Sequence, residues 1–340
     1  MFRSLALLFS ILLVPWGAAA ADHASTSCDT KAAACGNDDQ SFVQTHLATM
    51  RLGEHSVEVT ESRADDGESG TVMTAETCTL PSFGRWCRVC PGGECFDLAV
   101  YLSNDIVSNE ICNTGFWETR SVAKFGPPGT ALDIGTNIGY YSFLLAAAKW
   151  TVHSFEPLPQ NLELLAATAC KNPALAQRVK IHPTGLGAQH DHCVFLSGNT
   201  NVGDGIAQCG TAADAESSRL VKAGYQVRGE FEVQRLDDEL ERLAIKAIDF
   251  VKIDVEGFEF QVFEGAQSLL TKYRPRAIQS EVWPKMRGCV PADYLKMFAM
   301  SNYKVSLAPG CADSDDHLNG QIQNFFMCKG DGPALLQFTP

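Results

Sequence analysis

Positive charge is scarce in this sequence: 27 Lys and Arg face 40 Asp and Glu, a formal net charge of −13. A nucleic-acid backbone or an anionic membrane repels such a chain, and no basic, aromatic-interleaved stripe offsets the deficit. The sequence also lacks the dinucleotide-binding G-x-G-x-x-G and any internal repeat. Beyond its first residues it has no apolar stretch approaching the roughly 20 residues that cross a bilayer. These absences argue against nucleic-acid binders, nicotinamide-dependent oxidoreductases and proteins with a stable membrane span. They favour a neutral or small partner; oligomeric state is not legible.

Cysteine, in contrast, is plentiful, with thirteen in the chain. The chain opens on Met1-Phe2-Arg3, an apolar run from Ser4 to Trp16 and the small residues Ala18-Ala19-Ala20. This is the pattern of a cleaved signal peptide over residues 1–20. Together these features place the protein in the lumen of the secretory pathway or outside the cell. An organelle reached through a signal peptide is the alternative, with the Ala/Ser/Thr-rich segment Ala21 to Cys35 as its transit signal. Seven cysteines lie between Cys28 and Cys112. The cluster Cys87-x2-Cys90-x4-Cys95 has no histidine at ligand spacing, so it reads as disulfide-stapled rather than zinc-binding, and no metal site is expected. An odd count leaves at least one thiol unpaired or intermolecular, and Cys170, on a helix face, is the candidate for a buried free cysteine.

Four segments follow: a signal peptide at 1–20, a Cys-rich, partly disordered extension at 21–104, an α/β domain at 105–330 and a tail at 331–340. Residues 21 to about 80 are polar, and Asp65 to Gly70 reads as an exposed loop or linker. From Thr130 onward apolar runs alternate with helical stretches. Strands are predicted at 131–134, 151–155, 178–182, 248–253 and 276–282, and helices at 140–149, 160–171 and 259–272. Such alternation implies a mostly parallel sheet with helices on both faces, and runs at 303–307 and 324–328 form an antiparallel edge. Residues 193–197 and 226–233 read as paired strands of an insertion. The Gly/Ala/Asn/Ser-rich stretch between them, 198–224, is long enough to be functional or mobile.

The strongest local signal is Leu132-Asp133-Ile134-Gly135-Thr136-Asn137-Ile138-Gly139, set between a strand and a helix. Gly135 lets the backbone approach a ligand, Gly139 allows tight strand–helix packing, and the helix start offers free N–H donors. The acid ahead of the first glycine suits a ligand with a cationic amino acid end, such as S-adenosylmethionine. Asp133 either attracts that ammonium or orients the loop by hydrogen bonds. Glu156 ends the next strand, where open α/β sheets place a carboxylate for ribose hydroxyls. A second cluster, Lys252, Asp254 and Glu256, alternates around the exit of a buried strand. Buried charges must pair with each other or face a ligand. Asp254 or Glu256 is placed to take the proton of an acceptor hydroxyl, and Glu281 and Trp283-Pro284 end the following strand. His182 is set near an adenine position; His190 and His192 around Asp191 read as a solvated turn or a metal site.

Several of these pieces resemble the FkbM family of methyltransferases, within the class I S-adenosylmethionine-dependent fold. They are Gly115-Phe116-Trp117-Glu118, Leu132 to Gly139, Phe155-Glu156-Pro157 with Asn161, Leu236 to Leu240, and Val251-Lys252-Ile253-Asp254-Val255-Glu256-Gly257. The resemblance spans about residues 105 to 330 and implies a Rossmann-like domain that methylates hydroxyl oxygens. It marks Asp133, Gly135, Thr136, Asn137, Gly139 and Glu156 as cofactor positions and Asp254 and Glu256 as active-site acids. The expected acceptor is a glycan or small hydroxylated metabolite. The competing expectation is a secreted, disulfide-stapled binding module with this fold and no turnover.

Overall fold

The computed structural model describes residues 78–330 apart from 92–93, 104, 204, 211–212, 285, 308–310 and 312–322. The signal segment, the polar leader with Cys28 and Cys35, and the tail lie outside the described residues.

A hairpin leads, β1 (Gly84–Val89) and β2 (Phe96–Tyr101), followed by helix α1 (Ile106–Thr114). The alternating unit then runs β3 (Thr130–Ile134), α2 (Tyr140–Ala147), β4 (Thr151–Phe155), α3 (Pro159–Lys171), α4 (Pro173–Ala176) and β5 (Val179–His182). An insertion supplies β6 (Gly185–Leu186), β7 (Asp191–Ser197), β8 (Ile206–Cys209), α5 (Ala213–Lys222), β9 (Gln226–Gln234) and α6 (Leu236–Arg242). The chain closes with β10 (Phe250–Ile253), α7 (Glu259–Glu264), β11 (Ala277–Val282), α8 (Pro291–Met300), β12 (Tyr303–Ser306) and β13 (Gln323–Lys329).

The main sheet has seven strands in the order β12-β13-β11-β10-β3-β4-β5. Only β13 runs against its neighbours. The expected antiparallel edge is therefore one strand inserted inside the rim, and the rim strand β12 is parallel to the rest. β3 pairs with β4 on one side and β10 on the other, both in parallel. The chain thus winds outward in both directions from β3 and β10. Open α/β sheets bind ligands at such a switch point, outside the carboxyl ends of the strands.

The central strands read as apolar runs because both faces are covered. One face packs Phe96, Leu98, Val100, Phe143, Leu144, Trp150 and Phe250 beneath the hairpin and α2; the other packs Leu132, Ile134, Val251, Ile253, Phe263, Tyr294 and Phe298. The hairpin is therefore part of the core. Its Ala99 N–H donates to Thr168 Oγ1 at 2.9 Å, and Asn172 bonds both the N–H and the C=O of Asp97, fastening β2 to α3. α1 starts where Asp105 caps the Ser108 N–H at 2.7 Å and stops at Gly115, whose left-handed backbone returns an N–H to Ile111.

Three expectations change. Cys170 is not free: it is disulfide-bonded to Cys78, and further bridges join Cys87–Cys112, Cys90–Cys95, Cys193–Cys209 and Cys311–Cys328. A cysteine on a helix face packs like a small hydrophobe in sequence, and only the path of the extension brings Cys78 to it. The helix expected over 259–272 breaks at Gly265, where an added Cβ would lie 2.0 Å from the Gly187 carbonyl, and resumes as a π-helical turn at Leu269–Tyr273. His190 to His192 form no turn; β7 starts at Asp191, and exposed His192 bonds Glu232 and Glu230 across to β9.

Buried His153 and His182 stack with centroids 5.2 Å apart and an Nδ1···Nε2 hydrogen bond of 3.0 Å. Burial, with Lys180 adding, lowers His153 from 6.5 to about 4. Burial, with His153, Arg242 and Lys180 adding, lowers His182 to about 3. The unfolded chain then binds more protons than the native one below pH 6.5. Stability from this pair is complete above that value and declines as pH falls towards the folded pKa values. Going from pH 7 to 5 should cost about 1–2 kcal/mol for each histidine, roughly 3–4 kcal/mol for the pair. Urea midpoints at the two pH values measure it, and an equal decline in the double variant His153→Gln/His182→Gln would refute the assignment.

Candidate active site

The glycine loop between β3 and α2 is held by its own backbone. Gly135 and Thr136 N–H both donate to the Phe155 carbonyl, at 3.0 and 3.2 Å, which locks the loop to the end of β4. Gly135 has φ +77°, and a Cβ there would stand 1.7 Å from the carbonyl oxygen of Asp254. Only glycine lets the exits of β3 and β10 close on each other. Asn137 adopts φ +53°, and Gly139, at φ +91°, is the N-cap of α2 with Leu165 against it. Thr136 Oγ1 donates to the Asp133 carbonyl at 2.8 Å, tying the turn to its strand.

Glu156 ends β4 and turns back onto the loop. Its Oε2 accepts from Asn137 N–H at 2.7 Å; its Oε1 accepts from Leu158 N–H at 2.9 Å and Asn161 Nδ2 at 3.2 Å. Burial raises its pKa to about 7, against the lowering effect of those three donors. The carboxylate thus lines the cleft described below while holding the loop in shape.

A row of polar side chains crosses the sheet under α2. Ser154, Asp133, Lys252 and Gln279 occupy paired positions on β4, β3, β10 and β11. Asp133 is fully buried, and its Oδ2 accepts from Ser142 Oγ of α2 at 2.6 Å. Burial raises its pKa and Lys252 counteracts that. Lys252 Nζ bonds Asp254 Oδ2 at 2.8 Å and lies 5.1 Å from the Tyr141 ring centroid. Burial alone would lower this ammonium, but Asp254, Asp133 and Glu118 outweigh it and hold its pKa above the ordinary lysine value. Tyr141 OH in turn donates to Glu118 Oε2 at 2.9 Å, and Asn324 donates to Oε1 at 3.0 Å.

Beside this row stand Asp254, Glu256 and Glu281, each offering a carboxylate oxygen within 4.8 Å of the others, a spacing able to ligate one cation. Burial and the neighbouring Asp254 push Glu281 well above the usual carboxylate range, against the donation from Trp283 Nε1 at 2.7 Å. That shift favours the neutral carboxyl of Glu281 beside the Lys252–Asp254 pair.

A cleft opens at the switch point. Gly135, Asn137, Glu156, Asp254 and Glu256 line it together, as Asp133, Thr136 and Gly139 do not: these three stand behind the wall and shape it. His182 is also behind the wall, stacked on Phe155, which does line the cleft. The opposite wall comes from the insertion, through Phe195, Gly203, Ala207, Phe231 and Val233. The sequence stretch 198–224, read above as a loop, thus includes β8 and α5 and forms part of the cleft. Apolar alternation in Phe195 and in Phe231–Val233 was the available sign of a buried face.

Residues 133–301 match the family model described as methyltransferase FkbM domain. Among solved structures, the chain is similar to the METTL16 MTase domain, at 14% identity and TM-score 0.34 over 60% of this chain and 61% of that one. It is also similar to an O-methyltransferase from Bacillus cereus in complex with SAH, at 13% and 0.35 over 61% and 76%. A third is magnesium protoporphyrin IX methyltransferase from Synechocystis PCC 6803 with bound SAM, at 14% and 0.34 over 62% and 74%. The chain therefore spans about three fifths of the METTL16 domain's length. A comparison with curated protein sequences gives no significant match.

Gly135→Ala should destabilise the fold by more than about 2 kcal/mol, through the Asp254 contact and the left-handed backbone together. Chemical denaturation checks this, and an unchanged midpoint would show that the two strand exits are not in contact.

Proposed function

We propose that this chain, whose residues 133–301 match the methyltransferase FkbM domain model, uses S-adenosylmethionine to methylate a hydroxyl oxygen of a glycan or small metabolite. The observation that carries this reading is the single cleft joining Gly135, Asn137 and Glu156 to Asp254 and Glu256. A loop stripped of its Cβ, a buried carboxylate placed for a ribose, and acids one strand away fit an adenosine-bearing cation. S-adenosylmethionine supplies an electrophilic methyl group on a sulfonium. Glu156 holds the ribose side, with its ionised form favoured by Asn137, Leu158 and Asn161. The walls from Phe155, Phe195 and Phe231 exclude water from the reacting centre.

Asp254 is the group proposed to receive the acceptor's proton. Lys252 fixes its carboxylate at one oxygen, while Glu281, its neutral form favoured by burial, serves as a hydrogen-bond donor beside it. As the acceptor oxygen bonds to the methyl carbon and the carbon–sulfur bond breaks, the hydroxyl proton passes to Asp254. Alignment and a dry, charged pocket are the enzyme's contribution. The anionic surface supports a neutral acceptor over a phosphate-bearing one.

Disulfides suit an oxidising compartment, and no described helix is long and apolar enough to cross a membrane. The proposed site of action is the secretory lumen or the exterior, where cofactor made in the cytosol must be delivered by transport.

Titration of the oxidised protein with S-adenosylhomocysteine should show saturable binding, and Glu156→Ala should weaken it at least about tenfold, the equivalent of a charge-assisted hydrogen bond. Absence of binding by the wild type would sink the enzyme reading and leave the binding-module alternative. With an acceptor found by screening labelled cofactor against glycans and small alcohols, Asp254→Asn should cut turnover by about a hundredfold or more while cofactor affinity changes little. Undiminished turnover would exclude Asp254 as the base.

A further inference from the structure

The cofactor carboxylate is reached by a hydrogen-bond relay that starts in the N-terminal hairpin. Tyr101, the last residue of β2, is buried, and its hydroxyl donates to Asn161 Oδ1 at 2.7 Å. Asn161, also buried, then spends both amide protons, one on Glu156 Oε1 at 3.2 Å and one on the Gly203 carbonyl at 3.0 Å. A primary amide has two donors and one acceptor oxygen. With the Tyr101 proton pointing at Oδ1, the amide has a single satisfied orientation. The flipped amide would set its oxygen against a carboxylate and a carbonyl. The next turn of chain closes the circuit, because Gly203 N–H donates to Oδ2 of fully buried Asp105 at 3.2 Å. Asn201 Oδ1 accepts from Ile106 N–H at 3.3 Å alongside.

Gly203 lines the cleft, so this clamp draws the insertion over the ribose side. The fit leaves no room: a Cβ at Gly203 would stand 2.6 Å from the Tyr101 ring, 3.0 Å from Asn137 Oδ1 and 3.1 Å from Asn161 Oδ1. The buried Oδ1 of Asn137 has no hydrogen-bond partner. Three segments far apart in sequence, the hairpin end at 101–105, α3 at 161 and the insertion at 201–203, meet around the Asn161 amide, which bonds the Glu156 carboxylate.

We infer that Tyr101, Asn161 and Asp105 are positioning residues of the cofactor site: they orient the Glu156 carboxylate and clamp Asn201–Gly203 over it. The inference rests on the cofactor reading above. It makes the disulfide-stapled hairpin a working part of the methyltransferase cleft, although the hairpin lies outside the span matched by the family model.

A double-mutant cycle tests it, with S-adenosylhomocysteine affinity measured calorimetrically on the full oxidised chain and ligand-free melting measured in parallel. Tyr101→Phe should raise Kd about fivefold, the loss of one buried hydrogen bond. In a Glu156→Gln background the same change should raise Kd less than about twofold, because the relay then has no carboxylate to orient. Gly203→Ala approaches the site from the insertion and should raise Kd at least as much. A purely structural hydroxyl would lower the melting temperature and leave affinity alone, or would keep its full effect in the Glu156→Gln background. Either result overturns the inference while wild-type binding leaves the cofactor reading standing. If the wild type itself does not bind, both fall.

Discussion

The acids at the carboxyl end of the sheet are arranged around one buried ammonium. Lys252 Nζ sits in the interior, with Asp254 bonded to it along its own strand and Asp133 beside it across the β3–β10 pairing. An unpaired charge there would cost several kcal/mol, and removing one partner of a buried pair typically costs about 3–5 kcal/mol. Both acids are therefore held in place by the lysine, one behind the glycine loop and one in front of the cleft. Asp133 passes the constraint to α2 through Ser142, and Tyr141 passes it to Glu118 and Gln279. The loop that closes on the Asp254 carbonyl is thus braced from below by the same charge that orients the proposed base.

Much of this was legible because local and global signals agree in the parallel core. β3 and β4 are short apolar runs stopped by Gly135 and by Glu156-Pro157, and the observed strands end within a residue of the expected limits. The Asp133 side chain bonds Ser142 of α2 rather than the loop, which is tied to Asp133 through its backbone carbonyl and Thr136. Sequence reasoning was blind where a role depends on distant chain. Tyr101 and Asp105 sit in a cysteine-rich stretch with weak periodicity, and nothing near them says that Asn161 and Gly203 will arrive. The partnership of Lys252 with Asp254 rather than Glu256 was equally hidden. Alternation along a strand puts all three on related positions, and only the left-handed turn at Glu256 separates them.

The insertion shows the same limit from another side. Its glycines and small polar residues look like a long flexible loop, yet Gly203 and Gly205 are small because other groups crowd them. A Cβ on Gly205 would come within 2.3 Å of the Leu196 carbonyl. Glycine marks close approach as readily as it marks freedom, and a single sequence does not separate the two meanings.

The disulfides follow a logic of their own. None of the five between described cysteines joins two parallel strands of the main sheet. Three fasten the hairpin and its flanks, one staples β7 to β8 in the insertion, and one anchors the antiparallel β13. The parallel strands are already covered on both faces and paired with one another, whereas the hairpin and the insertion form small sheets of their own. The Cys78–Cys170 bridge, 92 residues apart in sequence, removes about 4–5 kcal/mol of denatured-chain entropy on the loop-closure account. It ends on α3, nine residues from Asn161. Cys209 of the insertion bridge lines the cleft itself. Oxidation therefore stabilises the hairpin and the insertion around the cleft more than the sheet on which that cleft is built.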